Sequence, residues 1–154
     1  MPRKRPRIGD IVEIPVDSQF AYCQYTHKHS RYGALIRVFD GVHDKRPGDM
    51  LALVAGTVAF STFFPLGSAC NRAIVRVVDN APIATANAEF PTFKTRSVGA
   101  NNAFGPWYLW DGEHEWSKDD LNESELALPN RGVVNDTMLV SWIREGHSNL
   151  DYSK

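Results

Sequence analysis

Residues 10–16 (DIVEIPV) alternate, with Val12, Ile14 and Val16 on one side and Ile11 and Glu13 on the other. This is the two-residue repeat of a strand. Pro15 removes an amide donor, so the strand is expected to end there or lie at a sheet edge. Asp17-Ser18 is a turn signal, and residues 19–26, rich in Phe, Tyr and Cys, read as the return arm of a hairpin. In 31–39, Tyr32, Ala34, Ile36 and Val38 share one face, and Gly33, Leu35, Arg37 and Phe39 the other, giving a third strand. Residues 40–49 are polar with two glycines and a proline, a loop pattern. Residues 51–55 are apolar without alternation and read as a short helical turn or a buried segment. Residues 57–64 are strand-like, with β-branched and aromatic side chains dominant, and Gly67-Ser68 breaks them. Residues 73–78 form another strand that ends at Asp79-Asn80.

The pattern weakens over 81–103, where 89–93 (EFPTF) reads as a short extended piece and 96–105 as a loop. Aromatic runs at 107–110 and 113–116 flank Asp111-Gly112, which predicts a hairpin with a type I′ turn. Ser117 with Asp120 suggests a capping box for a short helix that reaches Ala127 at most, before Pro129. Asn135 or Asp136 caps a last helix with Met138, Leu139, Trp142 and Ile143 on one stripe, and Gly146 sits where it should stop. Val133 and Val134, just before the cap, are placed to staple its entry. Strands do not alternate with helices, which disfavours a parallel sheet. The expected fold is α+β: a mostly antiparallel sheet curled toward a partial barrel, with a C-terminal amphipathic helix and one or two short helices.

At 154 residues, with 43% hydrophobic and 23% charged side chains, the chain has the composition of a soluble globular protein. Residues 9–150 are expected to form a single globular domain, after a flexible basic tail at 1–8 that carries Arg3, Lys4, Arg5 and Arg7. No apolar stretch approaches the roughly 20 residues that span a bilayer, and no apolar core follows the basic start, so a cytoplasmic location is expected. Cys23 and Cys70 lack zinc-site spacing and are expected to be free thiols.

Charge changes the picture most at residues 111–126. Asp111, Glu113, Glu115, Asp119, Asp120, Glu123 and Glu125 stand there against Lys118 alone, a formal −6 in a chain of net charge −1. Trp107, Trp110 and Trp116 lie in or beside the run. Acid beside large aromatics suits a binding face for a basic partner. A solvated helix start explains part of the same run, since acids in a first turn favour the helix dipole. The candidate contact residues are Asp111, Glu113, Glu115, Trp116, Asp119 and Asp120.

Catalytic templates are missing: the sequence holds no GxxxxGK[ST], GxGxxG or GxSxG. Neither cysteine sits by a feature that would activate it. His27 and His29, two apart on a strand, are able to share an ion, but a third ligand would have to come from elsewhere, such as His43 or His114. Exposed histidines without metal are the expectation, and the chain is expected to be neither an enzyme nor a cofactor binder.

Four segments in order resemble the immunity protein 26 family of bacterial polymorphic toxin systems: GDIVEIPVDSQFAYCQY (9–25), FPTF (90–93), WYLWDG (107–112) and NDTMLVSWIREG (135–146). The resemblance spans nearly the whole chain and departs from the family at Cys23, where a small residue is usual. It implies a β-rich, non-enzymatic protein that binds and neutralises a cognate toxin. The partner is expected to be a toxin domain, basic at its active cleft, met by the acidic segment. A nucleic-acid-binding module using the basic tail and strand aromatics is the alternative. The net −5 on residues 8–154 counts against it, because phosphate contact needs positive surface.

Overall fold

The computed structural model describes residues 5–146; the expected tail residues 1–4 and the segment 147–154 lie outside it. The fold is α+β, with antiparallel strands in two open sheets. Contacts divide the chain into two compact units. One runs up to Glu89 and resumes at Gly132; the other is Phe90–Arg131. No helix among the described residues is long and apolar enough to cross a membrane.

The first unit holds five strands in the order β4-β3-β2-β1-β5. These are β1 (Asp10–Val16), β2 (Gln19–His29), β3 (Gly33–Phe39), β4 (Val58–Phe63) and β5 (Arg76–Asn80). The first hairpin is tight: Val16 pairs with Gln19, and Asp17 takes a left-handed φ of 58°. Pro15 is tolerated because β5 pairs with β1 only from Asp10 to Glu13, so Pro15 has a neighbour on one side alone. Two short helices, α1 (Met50–Val54) and α2 (Leu66–Asn71), flank β4. Residues 67–68, expected to break structure, lie inside α2 instead.

Alternation sends β1 and β2 side chains to both faces, and both faces are buried. Val12, Ile14, Ala21, Cys23, Ile36, Val38 and Phe60 form one core with Leu66 and Ala69 of α2. The last helix, α4 (Asp136–Glu145), lays Leu139 into this core with Trp142 and Ile143 beside it. Asn135 is its cap: its side-chain oxygen accepts the Met138 amide at 2.8 Å, and Gly146 closes the helix at φ 73°. Val134 is buried before the cap, whereas Val133 is exposed.

The opposite face packs Ile11, Tyr22, Phe39, Val54 and Ala81, but it also buries Glu13, Gln24 and Arg37. Each of the three side chains makes hydrogen bonds across the sheet, although Gln24 Oε1 and Arg37 Nε stay without one among the described residues. The Tyr22 hydroxyl donates to Glu13 at 2.7 Å, and Arg46 reaches the same carboxylate from the 40–49 loop at 2.9 and 3.2 Å. Gln24 donates to the Gly9 and Ala81 carbonyls, joining the chain before β1 to the chain after β5. Arg37 donates to Ser61 and to the Glu89 carbonyl.

Cys23 is buried and Cys70 half-buried, and both are free thiols. Burial pushes the Cys23 thiol up, which keeps it protonated and inert.

Leu139→Ala should lower stability by about 2–5 kcal/mol in denaturant melts, while Met138→Ala on the exposed side should stay within about 1 kcal/mol. Glu13 supplies a pH test. Its hydrogen bond from Arg46 holds the carboxyl below the ordinary carboxylate value of 4.5. Its contribution is therefore complete above that value and lost as pH falls through the lower folded value. Melts from neutral to acid pH should show a shallower acid loss for Glu13→Gln than for the parent.

Candidate functional site

The acidic segment belongs to the second unit, whose sheet runs β6-β7-β8. Its strands are β6 (Phe93–Val98), β7 (Phe104–Trp110) and β8 (Glu115–Lys118), followed by the short helix α3 (Glu123–Leu126). Strand β6 starts at the end of the short extended piece expected over 89–93 and runs on to Val98, into the stretch expected to be loop. Its Thr95, Arg96 and Ser97 lack apolar alternation, and pairing with β7 supplies the order that the pattern does not show.

The aromatic hairpin forms, but its connection is longer than a type I′ turn. Trp110 pairs with Glu115, leaving residues 111–114 between the strands. Asp111 organises them: one carboxylate oxygen accepts the amides of Glu113 at 3.0 Å and His114 at 2.7 Å. These bonds, that from His114 foremost, hold its carboxyl below the usual range. Gly112 takes φ 99°, and a Cβ there would stand 2.8 Å from the Phe90 ring.

Register decides which site residues share a face. Phe93, Trp110 and Glu115 lie in one row across the sheet, and Lys94, Leu109 and Trp116 in the next. Adjacent rows point to opposite faces. Glu115 therefore projects with Trp110, while Trp116 projects with Leu109. Glu115 forms an ion pair with Arg131, whose guanidinium also lies 4.3 Å above the Trp110 ring. Trp116 is 41% exposed.

Ser117 is a strand residue opposite Tyr108, not a helix cap. The cap is Asn122, in a reciprocal box with Glu125: the Asn122 side chain accepts the Glu125 amide at 2.9 Å, and Glu125 accepts the Asn122 amide at 3.0 Å. Lys118 donates to both Glu125 oxygens at 2.8 Å, and this contact foremost holds that carboxyl down. Both Asn122 and Glu125 are explicit in the sequence at the capping spacing; the earlier Ser117 masked them.

Charge in the segment is thus partly spent inside the unit. Asp111 holds a turn, Glu115 meets Arg131 and Glu125 meets Lys118. Glu113, Asp119, Asp120 and Glu123 are exposed and have no ion pair among the described residues. Lys94 and Arg131, which sequence reasoning passed over, build the frame. Lys94 is 3% exposed; its ammonium donates to the carbonyls of Leu126, at 2.9 Å, and Leu128. It ties α3 to β6, and burial holds its pKa below the usual lysine value.

The histidines are occupied locally. His27 follows a bulge in β2 and contacts the Thr26 hydroxyl and the Ala88 carbonyl, each at 2.9 Å. His29 Nδ1 accepts the amides of Arg31 and Tyr32. Among the described residues, no group of three or more His, Cys, Asp or Glu is placed to hold a metal ion. Of the strand aromatics, Tyr22 and Tyr25 are buried and Tyr32 half-buried.

Compared with protein-family models, with curated proteins and with solved structures, the chain matches none.

Gly112→Ala should destabilise the second unit by about 1–3 kcal/mol through the positive φ and the clash with Phe90. Amide exchange should report it as faster exchange in β7 and β8, with the first unit unchanged.

Proposed function

We propose that this chain is a non-enzymatic immunity protein that binds a cognate toxin domain in the bacterial cytoplasm and occludes its active site. The observation that carries the reading is the set of uncompensated carboxylates, Glu113, Asp119, Asp120 and Glu123, on the segment that exposes Trp116. A basic cleft is the complementary surface. Exposed acids raise the rate of encounter, and an exposed indole provides an anchor whose burial slows release. Resemblance to the immunity protein 26 family supports the same reading: its segments fall on the β1–β2 hairpin, the start of β6, the end of β7 and helix α4.

Register refines the candidate surface. Asp111 and Glu115 serve the hairpin and its pairing with Arg131, so Glu113, Trp116, Asp119 and Asp120 are assigned the larger share of contact.

With the toxin domain immobilised, the variant carrying Glu113→Lys, Asp119→Lys and Asp120→Lys should associate about tenfold or more slowly at low salt, with a flatter salt dependence. Trp116→Ala should act mainly on dissociation and weaken binding by about 2 kcal/mol. Unchanged kinetics and protection in the triple variant would rule out the acidic segment as the contact.

A further inference from the structure

The first unit contains a second feature that the toxin-binding reading does not use. A cavity of about 310 Å³ opens beside the start of β3, lined by Arg5, Tyr25, Lys28, Tyr32, Phe64 and Leu66 among others. That is the size of a small-molecule site. Its floor is aromatic and apolar: Phe64 and Leu66 are each 1% exposed.

Two observations give the cavity a chemical preference. The first is charge. Arg5 and Lys28 line it, no carboxylate does, and neither cation has an ion pair among the described residues. The second is Tyr25. Its ring belongs to the core and the residue is only 7% exposed, yet its hydroxyl has no hydrogen-bond partner among the described residues. Tyr22, on the opposite face of the same strand, gives its hydroxyl to Glu13, whereas the Tyr25 hydroxyl is free of protein partners among the described residues and still open to solvent. A phenol left over at the wall of a cavity with two uncompensated cations is a donor for an anionic oxygen.

We infer that this cavity binds a small anion with an aromatic body, its charged head taken by Arg5, Lys28 and the Tyr25 hydroxyl and its ring laid against Phe64 and Leu66. Carboxylate and phosphate heads share that chemistry. The inference is independent of the toxin-binding reading, since none of these residues lies in the acidic segment.

Benzoate and phenyl phosphate serve as probes, with benzyl alcohol as the neutral control of the same body. Titration of the full chain, followed by calorimetry and by amide resonances, should show saturable binding of at least one anion at millimolar concentration or below. The stronger of the two identifies the head. Tyr25→Phe should weaken that probe about tenfold, the effect of one lost hydrogen bond to a charge. Arg5→Gln with Lys28→Gln should weaken it by a similar factor and remove its salt dependence. Because the hydroxyl has no partner in the free protein, Tyr25→Phe should leave the thermal midpoint unchanged, which separates a binding role from a structural one. Absence of saturable binding up to about 10 mM, equal affinity for benzyl alcohol, or retained affinity in either variant would overturn the site.

Discussion

Burial of both faces of the β1–β2 pair is the constraint from which the first unit follows. A strand alternates, so covering both sides commits every residue of Ile11 to Ile14 to the interior. One face is apolar and needs only a helix over it, which α4 and α2 supply. The other carries Glu13, Gln24 and Arg37, and each must be met by a group from a distant segment. Arg46 fixes the 40–49 loop to Glu13, Gln24 joins the approaches to β1 and β5, and Arg37 holds the Glu89 carbonyl where the chain leaves the unit. Loops are thereby positioned by buried polar chemistry more than by their own propensities.

The second unit solves a smaller problem by similar means. Three short strands cannot bury a large core, so it is framed by aromatic packing of Phe90, Phe93 and Trp110 and by two cations. Arg131 covers Trp110, and Lys94 is buried against helix-end carbonyls. This frame consumes part of the acidic run and aims the rest outward. The distinction between framing acids and free acids connects the fold to the proposed toxin contact. A formal −6 over one segment overstates what a partner would meet, while the exposed Glu113, Asp119, Asp120 and Glu123 remain available for steering.

Where local pattern and tertiary pairing agree, the fold was legible in the sequence. The alternation of 10–16, the tyrosine-bearing return strand, β3, β4 and the Asn135-to-Gly146 helix are all readable, as is the antiparallel α+β class. Strand β6 was legible only at its start, because its polar residues are ordered by β7 and not by a face of their own. Helix α2 hid behind Gly67-Ser68, whose turn propensity is outweighed by burial of Leu66 and Ala69. At the candidate site the hairpin was visible, but the face of each acid depends on register, which a sequence does not display. Neither Lys94 and Arg131 as framing residues nor the unpartnered Tyr25 hydroxyl leaves a local signal, since each is defined by neighbours far along the chain.

The most direct test of the proposed function is affinity capture with the intact chain as bait in lysate of its source cell, with bound material identified by mass spectrometry. The account predicts one toxin-domain protein with a basic surface, released by salt and not recovered by the triple charge-reversal variant. Capture of nucleic acid, or of the same toxin equally well by the variant, would contradict it.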